Sequence, residues 1–184
     1  MKPIVTTHKL FGHRDLLHEV KHLAPAAMKL VGRSVPGRMP RVHIIVSNAR
    51  GMAELATDAE FDLAGANDER MHNRRRRWHT GECRKADGIA VLASEGTALV
   101  LLNAGRHHSS EDVAVTLVHE LTHAMQFSRR GVLERHTAYL RDAFDIEPQS
   151  WLRNHAHERH VRQEEAEAYA TEFLAEQLLA DAAA

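Results

Sequence analysis

Residues 113–125 read Val-Ala-Val-Thr-Leu-Val-His-Glu-Leu-Thr-His-Ala-Met. Within them stands His119-Glu120-Leu121-Thr122-His123, an H-E-x-x-H motif. Side chains four residues apart share one face of an α-helix, so His119 and His123 project together. Two imidazoles placed in this way hold one zinc ion at about 2.0–2.1 Å each. Glu120 lies beside such a metal rather than on it, where a carboxylate takes a proton from water and later returns it to a leaving group. The surrounding Thr116, Leu117, Val118, Leu121, Thr122, Ala124 and Met125 are uncharged, so this helix is expected to be largely buried. A buried His-Glu-His cluster without a ligand is costly. Ser109 and Ser110, followed by Glu111 and Asp112, form an N-cap signal with favourable dipole charges. Gly131, after Arg129 and Arg130, reads as a stop.

A zinc peptidase needs a third protein ligand and leaves the fourth position for water. The extension H-E-x-x-H-x-x-G-x-x-H is absent, because Gln126 and Arg129 occupy its glycine and histidine positions. The other solution is a glutamate on a later helix packed against the first. Residues 163–179 read as the last helix. They open Gln163-Glu164-Glu165-Ala166-Glu167-Ala168-Tyr169-Ala170, and the alanines allow close approach of two helices.

These two segments together resemble the gluzincin metallopeptidases, and in particular their short intracellular ImmA/IrrE-type members. The resemblance spans residues 97–179. It implies His119 and His123 as zinc ligands, Glu120 as catalytic base and Glu165 as third ligand. Glu164 and Glu167 are the alternates, because a shift of one residue turns a helix by about 100°. Thr122 departs from the commoner H-E-L-G-H, which leaves the ligands intact. The resemblance also implies that the strand before the motif helix takes substrate as an added antiparallel strand. That edge would be residues 97–103, with Thr97, Leu99, Leu101 and Asn103 on it; backbone pairing there gives affinity with weak sequence selectivity. The implied activity is zinc-dependent hydrolysis of a protein or peptide substrate, with a regulatory protein partner also admitted. An oxyanion needs a second donor besides zinc. Candidates between the two ligand segments are Tyr139, His155, His157 and His160.

Elsewhere the signals are structural. Residues 15–31 have helical spacing, with a break or kink allowed at Pro25; His13, His18 and His22 read as surface histidines. Residues 41–47 form a β-branched strand. Residues 52–63 do not decide between a short helix and an irregular segment. Residues 88–94 and 97–103 read as a β-hairpin. His107 and His108 lie too far along the motif helix to join its metal. Residues 132–144 have helical character, and Trp151 and Leu152 read as anchors of the turn that follows. Residues 66–87 are polar and read as a solvated loop carrying Arg74, Arg75, Arg76 and Arg77 before Trp78. This loop supports an alternative reading, a non-catalytic zinc-stabilised binding protein that contacts nucleic acid or an acidic partner through it.

The formal net charge of the 184-residue chain is −1, so no global field draws it to nucleic acid or membrane, and nucleic acid is an unfavoured partner. With Cys83 the single cysteine, an intramolecular disulfide is impossible, which fits a reducing cytoplasm. No apolar leader or membrane-length apolar run is present, so a cytoplasmic protein is expected. The expected architecture is one α+β domain over residues 1–184. A small, mostly antiparallel sheet of about three strands would carry an N-terminal helix, the motif helix and the glutamate helix.

Overall fold

A computed structural model describes residues 2–183 of the chain. Its sheet has four strands, β1 (Ile4–His8), β2 (Arg41–Ser47), β3 (Gly88–Leu92) and β4 (Thr97–Asn103), in the order β1-β2-β4-β3. β1 and β4 both run parallel to β2, and only β3 is antiparallel, pairing with β4. The coarse α+β class stands, but the mostly antiparallel sheet of about three strands is corrected to a mixed one of four. β1 has largely exposed side chains and pairs Ile4 with His43 and His8 with Ser47. A pairing at that separation leaves no local trace.

Alternation along the two central strands divides the core. Val42, Ile44 and Val46 of β2 and Ala98, Val100 and Leu102 of β4 face one side, while Ile45 and Leu101 face the other. The first side is covered by α1 (Arg14–Ser34), α4 (Ser110–Phe127) and α7 (Leu174–Ala183). α1 buries Val20, Leu23, Ala24, Ala27, Met28 and Val31 and runs through Pro25, which faces solvent. The second side is covered by α2 (Ala49–Ala64), the segment left undecided above, through Met52, Ala53 and Ala56. α5 (Val132–Ala143) packs on α2, with Leu140 and the adjoining Phe144 against Ala64.

Residues 66–87 are not a loop. They contain α3 (Glu69–Cys83), whose start is capped by the Asp68 side chain. α3 is fastened to α2 by a buried polar cluster. Arg75 donates twice to Glu60, at 2.6 and 3.0 Å, and His79 Nε2 donates at 2.9 Å. Because ion pairing rather than an apolar stripe holds α3, its hydrophobic periodicity was silent.

The hairpin expected over residues 88–103 is present and turns through a 3₁₀ segment, Ser94–Gly96, with Glu95 and Gly96 both left-handed. α4 begins with a reciprocal capping box between Ser109 and Asp112. It ends at Phe127, and Gly131 (φ 79°) opens α5 instead of closing α4. The last helix expected at residues 163–179 is two. α6 (Trp151–Thr171) lies across α4, and a break at Glu172 and Phe173 precedes α7. Trp151 and Leu152 do not anchor α6; they are 71% and 66% exposed. Among the described residues no helix is long and apolar enough to cross a membrane.

Candidate metal centre and its cleft

α4 is buried along the motif, as its uncharged neighbours require; Leu117, Val118, Leu121 and Ala124 are fully enclosed. His119 and His123 emerge from it one turn apart and meet α6. Their Nε2 atoms stand 3.2 Å from each other. Glu165 reaches them from α6, with Oε1 3.4 Å from His123 Nε2 and Oε2 3.7 Å from His119 Nε2. Two donors each about 2.0–2.1 Å from one tetrahedral ion stand about 3.3 Å apart, so the spacing fits a metal centre. Among the described residues, His119, His123 and Glu165 form the one such group of possible metal ligands.

The other ring nitrogens are engaged outward. His119 Nδ1 donates to Glu172 Oε1 at 2.8 Å, since a carboxylate can only accept there. His123 Nδ1 donates to Gln126 Oε1, also at 2.8 Å. Both protons are therefore on Nδ1, and two Nε2 lone pairs confront one another. Only a proton or a cation between them relieves that arrangement. In the metal-free chain a proton answers the need. Burial pulls the His119 pKa down, but Glu165, Glu120 and Glu172 outweigh it and raise the value to about 9. Burial holds His123 below its ordinary value. Glu165 is held below the usual carboxylate range, first by its hydrogen bond with His119.

Glu120 lies behind the pair, 6% exposed, against β3. Burial raises its pKa to about 8 against the opposing pull of His119. Its Cγ and Oε1 approach Gly88 so closely that a Cβ there would stand 2.9 and 3.1 Å away. The open edge beside the site is thus β3. β4, with Thr97, Leu99, Leu101 and Asn103, is an interior strand paired on both sides, so the free edge expected there is corrected: the edge strand of the hairpin is β3. Asn103 has a structural role: its side-chain amide donates to Cys83 O and Ala86 O.

A cleft of about 710 Å³ runs from β3 over the histidines to α3, α5 and α6. His157 and His160 line it, whereas His155 and Tyr139 do not. His155 is exposed beside Glu158, and Tyr139 stacks on His157 at 4.1 Å behind the wall. Burial lowers the His157 pKa to about 4, so its ring is neutral. Glu164 also lines the cleft, but Glu167 turns away to pair with Arg129, leaving Glu165 the glutamate that meets the histidines. Of the three alanines offered for close packing only Ala168 is buried. Sequence reasoning missed Glu172 and Gln126 as partners of the histidines, Tyr169 packed edge-on against His119 at 4.9 Å, and His79 and His136 in the far wall. Gln126 alone has a spacing signal, three residues after His123 on α4; the packing of α6, α5 and α3 brings in the others. Thr122 ties the two helices instead of spacing them, as its hydroxyl meets Val118 O at 2.8 Å and Thr171 Oγ1 at 2.9 Å.

The arginine run is not a uniform cationic surface. Arg75 is committed to Glu60 and lies over the Trp78 ring, Arg76 bonds Asn73, and Arg74 pairs with Asp145 at 3.7 Å. Comparison with protein-family models, curated proteins and solved structures finds no match to this chain.

Proposed function

We propose that this chain is a zinc-dependent peptidase of the gluzincin type, similar to the short ImmA/IrrE-type enzymes, acting on protein or peptide substrates. The observation that carries the reading is the convergence of His119 Nε2, His123 Nε2 and the Glu165 carboxylate to within 3.2–3.7 Å of one another, with Glu120 buried next to them at the side of a cleft. His119, His123 and Glu165 would hold the ion, and three protein donors suit a catalytic site that keeps one position open. A zinc ion there supplies Lewis acidity, which acidifies water and polarises the scissile carbonyl. Glu120, buried beside the pair, would take the proton of the attacking water and deliver it to the departing amine. The backbone of β3 pairs with an extended substrate, which gives affinity through main-chain hydrogen bonds. His157 and His160 are the cleft residues available to donate to the oxyanion. The reading includes a cytoplasmic setting, where the buried Cys83 thiol stays reduced. The alternative of a zinc-stabilised binding protein gains little from residues 74–77, because Arg75 is already tied to Glu60.

The test is zinc content together with cleavage of a mixed peptide library, read by mass spectrometry. Wild type should carry one zinc per chain and Glu165→Ala should lose it. Glu120→Gln should keep zinc and lose cleavage by about 10²-fold or more. Unimpaired cleavage by Glu120→Gln, or wild type without zinc, would refute the proposal.

A further inference from the structure

We infer that Glu167, held by Arg129, is a positioning residue that fixes the tautomer of His123 through Gln126. The inference rests on the metal reading of His119, His123 and Glu165. Gln126 is 1% exposed and sits between α4 and α6. Its Oε1 accepts from His123 Nδ1 at 2.8 Å, while its Nε2 donates to Glu164 O at 2.8 Å and to Glu167 Oε2 at 3.0 Å. A primary amide can present either end to a neighbour. Turned over, Gln126 would offer N–H to His123 Nδ1. The imidazole proton would then move to Nε2, and the lone pair needed for the metal would be gone.

Two acceptors oppose that turn. A flipped amide would bring its oxygen against the Glu164 carbonyl and the Glu167 carboxylate, oxygen facing oxygen. The backbone carbonyl belongs to α6 and is always present. The carboxylate is there because Arg129 grips both its oxygens, with Nη1 to Oε2 at 2.7 Å and Nη2 to Oε1 at 2.6 Å. Bidentate Arg–carboxylate pairs are directional as well as strong. Arg129 Nε also donates to Pro36 O at 3.2 Å, which anchors the guanidinium to the chain after α1. A chain of contacts thus runs Pro36–Arg129–Glu167–Gln126–His123. His119 needs no counterpart of it, because Glu172 is a carboxylate and accepts whichever way it turns. Outer partners of metal-bound histidines fix ring orientation, and their loss costs about 10–100-fold in metal affinity.

The experiment uses the full chain and two readouts: Zn²⁺ and Co²⁺ affinity by chelator competition, and long-range ¹⁵N–¹H NMR of histidine-labelled, metal-free protein, which reports the tautomer directly. The variants are Glu167→Ala, Arg129→Met and the conservative Glu167→Gln. The first two should lower affinity about 10–100-fold, and Glu167→Ala should shift His123 towards an Nε2–H population. Glu167→Gln should keep affinity and the Nδ1–H signal near wild type, because its amide oxygen still accepts from Gln126 Nε2 and from Arg129. Failure of a merely structural kind, in which α6 loses its seat, would lower affinity without changing the tautomer, and would overturn the inference. So would wild-type affinity in Glu167→Ala. Wild type that binds neither ion removes the metal reading itself, and this inference with it.

Discussion

Replacing Gly88 by alanine separates the placement of Glu120 from the binding of metal. The added Cβ would stand 2.7 Å from Thr116 Cγ2, 2.9 Å from Glu120 Cγ and 3.1 Å from Glu120 Oε1. Carbon atoms rest about 3.5–4.0 Å apart, so strand and helix must part by roughly 0.8 Å or Glu120 must leave its rotamer. β3 is paired on one side only, and it is the element that yields. Overpacking of this kind costs about 1–3 kcal/mol. In a chain of this size each kcal/mol lowers Tm by about 2–4 °C. Misplacing a catalytic group by about 1 Å costs on the order of 10²-fold in rate. The atoms met by the new methyl belong to Thr116 and Glu120, not to His119, His123 or Glu165, so zinc content should stay at the wild-type level. Differential scanning calorimetry, zinc per chain and kcat/KM on a cleaved peptide together check this. A wild-type rate in Gly88→Ala, or a loss of zinc in step with the loss of rate, would refute the reasoning.

Glu60 supplies a pH dependence unconnected with the metal. Burial alone would raise its pKa, but hydrogen bonds from His79 and Arg75 bring it down to about 2 from an ordinary 4.5. The folded value is the lower one, so its stabilisation is fully present above the ordinary carboxylate value and is lost as pH falls towards 2. The full contribution is about 3 kcal/mol, of which about 2 kcal/mol is lost between pH 7 and pH 3. Urea unfolding of wild type and Glu60→Gln should show the gap between them narrowing by that amount; parallel curves would contradict the assignment. Glu172→Ala should weaken zinc binding about 10–100-fold while leaving the far-UV circular dichroism unchanged; unchanged affinity would show that His119 needs no partner on Nδ1.

The parts of the site that were legible in sequence are those fixed by local geometry. His119 and His123 share a face by helical spacing alone, whereas Glu165 came only from the resemblance, with Glu164 and Glu167 as alternates that spacing could not separate from it. The hairpin of β3 and β4 announced itself by two apolar runs around a glycine. Strand order did not, because it is decided by which strand the parallel crossovers bring beside β2. Even so, Thr97–Asn103 is apolar nearly throughout, the mark of a strand buried on both faces, and that run argued against an edge. Residues 74–77 looked solvated because their helix is held by the charge of Glu60, a partner that hydrophobic patterning does not register. Glu172 reaches His119 from 53 residues along the chain, where no spacing rule extends, whereas Gln126 sits one turn after His123 and was legible as its neighbour but not as its hydrogen-bond partner.

The two segments on either side of the break at Glu172 and Phe173 are seated by different forces. α7 sets Leu174 and Leu178 into the main core, whereas Ala168 is the only fully buried side chain of α6. Without large apolar anchors, worth about 1.5–3 kcal/mol each, α6 is held to α4 chiefly by polar contacts, Gln126 to Glu164 and Glu167 and Thr122 to Thr171. Any opening of α6 would carry Glu165 away from both histidines at once. With an ion held as proposed, its residence time would depend on how often that helix swings out as well as on the coordinate bonds. An emptied molecule could then be refilled without unfolding its sheet.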